Sequence, residues 1–287
     1  MSWVTWRQHR LEGLWVLVLS LLMGISIAFV ANELRIANCS GPGQSPCLPV
    51  DAWGGIAQIL VKFNLYTYAL VVLPALAGAF ISVPLVAREI ENGTQRLVWT
   101  QGVTRTRWFI TKVVLVFAPL LTAAAVLGYL EVVLIDVQGA QANRWAFFDQ
   151  QAPMTVASTL FALALGTAVG AIMGRSIPAM AVTLVAFVVV RIGIAELARP
   201  NFMAPLVYRS SNMNIGVPGT SWWLGNAEFY DAAGHVVGTR QAASYFVEYF
   251  QPGDRFWPFQ TIESVILAVM ALLILGVAAY WTTRRVS

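Results

Sequence analysis

Ionisable side chains are scarce in this chain of 287 residues, and those inside apolar runs are the ones able to do chemistry. Arg191 lies well within one such run, Glu196 lies toward the outer end of the same one, and Glu131 and Glu263 lie toward the outer ends of two others. Charge at membrane depth is costly, so where it occurs it pairs or lines a polar path. Two uses are open to Arg191. It can bind one of these acids and tie helices together, or it can offer a polar point on a substrate or proton path. Catalysis finds little else to work with. The only lysines, Lys62 and Lys112, follow Val61 and Thr111, so the phosphate-cradling G-x-x-x-x-G-K-[ST] loop is absent and the chain is not a P-loop ATPase. His9 and His235 are predicted to stand on opposite sides of the membrane, which leaves no paired-histidine zinc site. No serine has a plausible His/Asp partner. The expectation is a chain with no catalytic residue, no metal and no cofactor of its own.

The elements that must hold these charges are membrane helices. The chain is 58% hydrophobic and 11% charged, and its charge-free runs cluster near the roughly 20 residues that cross a bilayer. Six spans are expected, at about 13–31, 65–86, 108–135, 155–173, 176–197 and 261–283, in an all-α integral membrane protein. The first run is too long, and lacks the small-residue exit, for a cleaved signal peptide. Ahead of it, residues 1–12 read as an amphipathic interfacial helix, with Trp3 and Trp6 among headgroups and Arg7, His9 and Arg10 toward phosphates. Arginine concentrates in alternate short loops, which places both termini in the cytoplasm of a plasma-membrane protein. The net charge of +4 is then a matter of topology, and nucleic acid is not an expected partner. Gly166, Gly170 and Gly174, with Ala162, repeat at four-residue spacing, as suits close packing within one subunit or at a subunit interface.

Two outer segments follow from this topology. Cys39 and Cys47, the only cysteines, fall in the first, on the side where disulfides persist. Gly41, Pro42, Gly43 and Pro46 let the chain turn back, so a disulfide is expected, worth about 2–3 kcal/mol by loop entropy. The second, 198–260, is too aromatic for disorder and is expected to cap the bundle. Phe250, Phe256 and Trp257 sit around the turn Gln251-Pro252-Gly253-Asp254. They read as an interfacial aromatic belt, or as a lid over the outer mouth of a pathway.

One polar block stands apart: EIENGTQRLVWTQGVTRTRW, residues 89–108, between spans two and three. Ile90, Thr94, Leu97 and Gln101 fall along one helical face, Glu89 and Glu91 at its first turn where the dipole favours anions. Gly102 allows a turn, and Arg105 and Arg107 mark the return to the membrane. This predicts a short interfacial helix, 89–101, rooted at both ends in membrane spans. The pattern Glu89-x-Glu91-x-Gly93-Thr94-x-x-Leu97, with Val103, Arg105 and Lys112 beyond, resembles the signature of ABC-2 type transporter permeases. The stretch 249–263 further resembles an actinobacterial subgroup of them. The resemblance implies that 89–101 is a coupling helix, with Glu89, Ile90, Glu91, Gly93, Thr94, Leu97 and Arg105 engaging a separate ATPase subunit. Gln101-Gly102 stands where many relatives have a proline turn.

What the resemblance implies for function is the permease subunit of an ABC exporter. Two such subunits, most simply two copies of this chain, would work with two ATPase subunits that hold ATP and Mg. The cargo would be a hydrophobic or amphipathic small molecule, a lipid or a peptide. Arg191, Glu131 and Glu196 are pathway candidates, and Phe250, Phe256 and Trp257 gate candidates. Two rival classes stay open: a secondary transporter or channel relaying ions through Arg191 and the acids, and a membrane sensor whose aromatic outer segment binds a ligand without transport.

Overall fold

The computed structural model of the protein describes residues 18, 20–32, 65–93, 104–138, 143–212, 219–225 and 227–284. The expected interfacial helix 1–12, the Cys39/Cys47 loop, Thr94, Leu97 and the rest of 94–103 lie outside the described residues. Among those described, five helices are long and apolar enough to cross a membrane, with a shorter apolar helix at Ser20–Asn32 within the first expected span.

The helices are α1 (Ser20–Asn32), α2 (Leu65–Leu76), α3 (Val83–Glu91), α4 (Arg105–Gln138), α5 (Ala152–Met173), α6 (Ser176–Gly193) and α7 (Phe256–Arg284). A π-helical turn, Ala77–Ser82, joins α2 to α3 in one continuous span. Its place follows from proline: Pro74 disturbs the ladder just before it, and Pro84 suits the first turn of α3. A second π turn, Ile194–Ala198, extends α6. Helix α5 is the centre of the bundle and packs against α2, the first π turn, α3, α4, α6 and α7.

Small residues explain that position. A Cβ on Gly78 would lie 2.5 Å from the Ala162 carbonyl oxygen, and one on Gly166 would run into the Gly78 carbonyl. The Gly166 face therefore serves close packing within this chain. Ser82 and Thr167 hydroxyls, 2.7 Å apart, lie beside the Leu163 carbonyl at the same crossing and join the two spans by hydrogen bonds. At the other edge, Ile27, Val30 and Ala31 of α1 share a buried cluster with Leu70, Leu127 and Leu134.

The segment between α6 and α7 forms a small antiparallel sheet, an addition to the helical fold. Strand β4 (Tyr245–Gln251) is central, with β1 (Leu206–Ser210) on one side and β2 (Trp222–Trp223) and β3 (Glu228–Tyr230) on the other. Aromatic side chains suit this half-buried pleat. Tyr230 stacks on Tyr245 at 5.2 Å, and the Arg209 guanidinium lies 3.7 Å from the Tyr245 ring centroid. The sheet is locked to the bundle where Trp222 stacks on Trp145 at 5.3 Å and Gln251 donates to the Met203 carbonyl at 2.8 Å.

Because nothing lies within 4 Å of a Cβ on Gly276 of α7, two matched substitutions test the crossing. Gly166→Ala is expected to destabilise the protein by about 1–3 kcal/mol, as overpacking does. Gly276→Ala is expected to be neutral. Thermal unfolding of both variants in detergent reads the difference.

Candidate functional site

Among the described residues, two polar clusters stand at the two ends of α5. The first gathers where α3 ends and α4 and α6 begin. Asn92 and Gly93 donate their backbone N–H groups to Arg88 and Ile90, and Gly93 adopts φ +68°, which stops the helix. Glu89 and Glu91 therefore stand in the last turn of α3, not the first turn of a separate helix as the sequence suggested. The strong Asn-Gly stop falls after them, and the apolar run before them carries the helix straight through. Their negative charge is matched by side chains and by another helix.

Lys112, only 4% exposed, forms a salt bridge with Glu89 and donates to the Leu85 carbonyl at 3.1 Å. Trp108 donates its indole N–H to the other Glu89 oxygen at 3.2 Å, and the Lys112 ammonium stands 4.9 Å from the Trp108 ring centroid. Glu91 accepts from the backbone N–H of Ser176 at 3.2 Å and from its hydroxyl at 2.9 Å. Ser176 opens α6, so this carboxylate satisfies a donor that the helix itself leaves free and meets the positive end of its dipole. Arg105 reaches across to the Thr283 carbonyl at the end of α7, 3.2 Å away. The two ends of the 92–104 connector are thus fastened to α3, α4, α6 and α7. Ile90 packs beside Gly174, and Gly93 is exposed.

The second cluster lies toward the sheet. Arg191 donates to Glu263 and to Asp149, both at 2.7 Å. Arg199 donates to Asp149 at 2.6 Å and to Glu263 at 2.7 and 2.9 Å. Two cations and two anions balance, and each cation contacts both anions. Such mutual pairing is what makes the burial of Glu263, 0% exposed, tolerable. The tying role open to Arg191 is the one its geometry fills.

The sequence did not point to Arg199 or Asp149. On a regular helix, residues eight apart differ by about 80° around the axis. The π turn between Arg191 and Arg199 takes up about one extra residue, which turns both guanidinium groups to one side. Glu196, on that π turn, is exposed and stands outside the cluster. Glu131 is buried elsewhere, in α4.

The expected gate residues separate. Phe256 is buried in the bundle, edge-on to Trp145 at 5.3 Å and to Phe148 at 5.5 Å. Phe250 belongs to the sheet, paired with Leu206 and Trp223. Trp257 is 45% exposed, with the Arg144 guanidinium 5.8 Å from its ring centroid. A single lid built from Phe250 and Phe256 does not match this arrangement, since one is core and the other sheet.

The charge cluster yields a direct test. Arg199→Met leaves two acids facing one guanidinium, and unpairing a buried charge costs about 3–5 kcal/mol. The variant is expected to lose detergent thermostability sharply. Arg199→Lys is expected to recover little, because one ammonium cannot serve both carboxylates as the fork does. Glu196→Gln is expected to melt like the parent protein.

Comparison with known proteins bears on the helical part. The family model described as ABC-2 membrane transporter related matches residues 13–199, well over half of the chain. The sheet, α7 and the stretch 249–263 lie beyond the match. No curated protein and no solved structure matches the chain. The match spans the connector, the Glu89 and Glu91 contacts and all helices from α1 to α6, and with it the chain belongs to the ABC-2 membrane transporter related family, as a multi-pass transporter permease that partners an ATPase subunit.

Proposed function

We propose that the chain is the membrane subunit of an ATP-driven exporter, with the 92–104 connector as the point where its ATPase partner acts. The observation that carries this reading is the polar node at the connector's two ends. A segment held only by its own covalent ends would move alone. This one is rooted in Glu89–Lys112, Glu91–Ser176 and Arg105–Thr283, which reach four helices. Displacing it displaces the starts of α4 and α6 and the ends of α3 and α7 together. In this reading the connector faces the cytoplasm, two such subunits and two ATPases form the working unit, and ATP with Mg is held by the partner. The cargo is a hydrophobic or amphipathic molecule. Mutual neutralisation of Arg191, Arg199, Asp149 and Glu263 favours a structural tie over an ion relay, and so favours this reading over a secondary transporter.

Glu91 is exposed, so its loss is expected to spare folding while cutting the tether to α6. With the chain and its ATPase reconstituted in proteoliposomes, Glu91→Ala is expected to keep ATPase activity and lose transport per ATP hydrolysed. Equal transport per ATP in the variant and the parent, at equal abundance, counts against the node as a transmission point. ATP-independent transport by the chain alone counts against the export reading as a whole.

A further inference from the structure

We propose that a cavity between α1, α2, α4 and α5, with Glu131 beside it, binds a small lipophilic ammonium compound. The cavity has a volume of about 220 Å³ and is walled largely by carbon, including Leu70, Leu120, Ala124 and Leu127. Thr155 and Thr159 also face it, but their hydroxyls already donate to backbone carbonyls, Thr155 to Gln150 and Gln151 just before α5 and Thr159 to Thr155. The space thus offers a ligand almost no polar partner within its own walls.

Glu131 supplies the missing one. Leu120, Ala124, Leu127 and Glu131 follow one another at spacings of four, three and four, which is a single stripe on α4. The first three wall the cavity, and Glu131 is the next step, about 5–6 Å further along the axis. Leu127 and Leu134, on either side of it, share a buried cluster with Leu70, itself a cavity wall. The Glu131 side chain is 0% exposed, and neither carboxyl oxygen has a hydrogen-bond partner among the described residues. The other helices that wall the cavity, α1, α2 and α5, contain no Asp, Glu, His, Lys or Arg. A buried carboxyl with no donor is expensive, so the location favours a ligand that brings a cation with it.

Size and charge together define the class. A cavity of roughly 150 Å³ takes up benzene, so this one suits a single ring or short alkyl group carrying a cationic head one helical turn away. An ammonium head, with or without N–H groups, is drawn electrostatically by the carboxylate, and its apolar body replaces void with contact. A neutral apolar molecule gains only the second. As a statement about cargo the inference rests on the export reading. As a statement about binding it concerns this chain alone, and its test involves no ATPase.

Radiolabelled benzyltrimethylammonium and its uncharged isostere neopentylbenzene are suitable probes, with the purified full chain in lipid nanodiscs. Saturable binding of the cation is expected, stronger than that of the isostere. Glu131→Gln is expected to weaken cation binding by about tenfold or more, since the neutral amide removes the coulombic attraction of the carboxylate for the cation, and to leave neopentylbenzene binding unchanged. Ala124→Phe, which fills the cavity, is expected to weaken both. The inference is overturned if the folded parent chain shows no saturable cation binding. It is equally overturned if the isostere binds as tightly as the cation, the result for a cavity that takes lipid chains, or if Glu131→Gln binds the cation like the parent. The comparison of cation with isostere needs only the parent chain, so it decides the matter even where a variant misfolds. Failure here leaves ATP-driven transport of another cargo open, and failure of ATP-driven transport leaves the binding result standing.

Discussion

Inside a bilayer there is no water to squeeze out between helices, so association depends on how closely backbones approach and what they can hydrogen-bond. In this permease that constraint falls on the crossing of α5 with the π turn before α3. Gly78 and Gly166 bring two backbones together where any side chain would collide, and Ser82 and Thr167 fasten the contact with hydroxyls. Helix α5 then serves as a rod against which the other spans pack. Its 22 residues span about 33 Å, close to the thickness of the hydrocarbon core. The two polar clusters hang from its ends. Asp149 lies just before it and Ser176 just after it, so each cluster sits near a membrane boundary, where charge is least costly.

The clusters differ in what they hold. Toward the sheet, four charges cancel and bind the lead of α5 to α6 and α7, an arrangement suited to rigidity. At the opposite end, acids from α3 reach α4 and α6 in pairs of contacts around a connector that belongs to none of them. Helix α6 takes part in both, through Ser176 at one end and Arg191 at the other. Helix α6 therefore links the two clusters along its length. Glu131 belongs to neither cluster. Its isolation beside an apolar cavity distinguishes it from Glu89, Glu91, Asp149 and Glu263, the four acids placed in contacts above.

Much of this was legible in the residue pattern. Apolar runs of bilayer length located the spans, the four-residue glycine spacing located the close crossing, and an arginine inside a span announced a paired acid. The connector block carried the family resemblance that the matched residues 13–199 bear out. Other features escaped for physical reasons. The Asn-Gly stop at 92–93 outweighed the dipole argument for Glu89 and Glu91, because an uninterrupted apolar run continues α3 as far as Glu91. The π turn at Ile194–Ala198 shifts helical phase, so Arg199 could not be placed beside Arg191 by counting. Aromatic and turn residues in 198–260 signalled a packed cap, but register in a small sheet depends on long-range pairing that local pattern does not encode. Helix α7 starts at Phe256, earlier than the charge-free run suggests, since Gln260 and Glu263 are buried among partners and cost the helix little.

The central claim is that the connector and the start of α6 move as one through Glu91 and Ser176. Hydrogen–deuterium exchange of the permease with its ATPase, with and without trapped ATP, measures this most directly. The account predicts that backbone protection changes together at 88–93, 105–112 and 176–180 when ATP is trapped. A change confined to 88–112, with 176–180 unaffected, would contradict it.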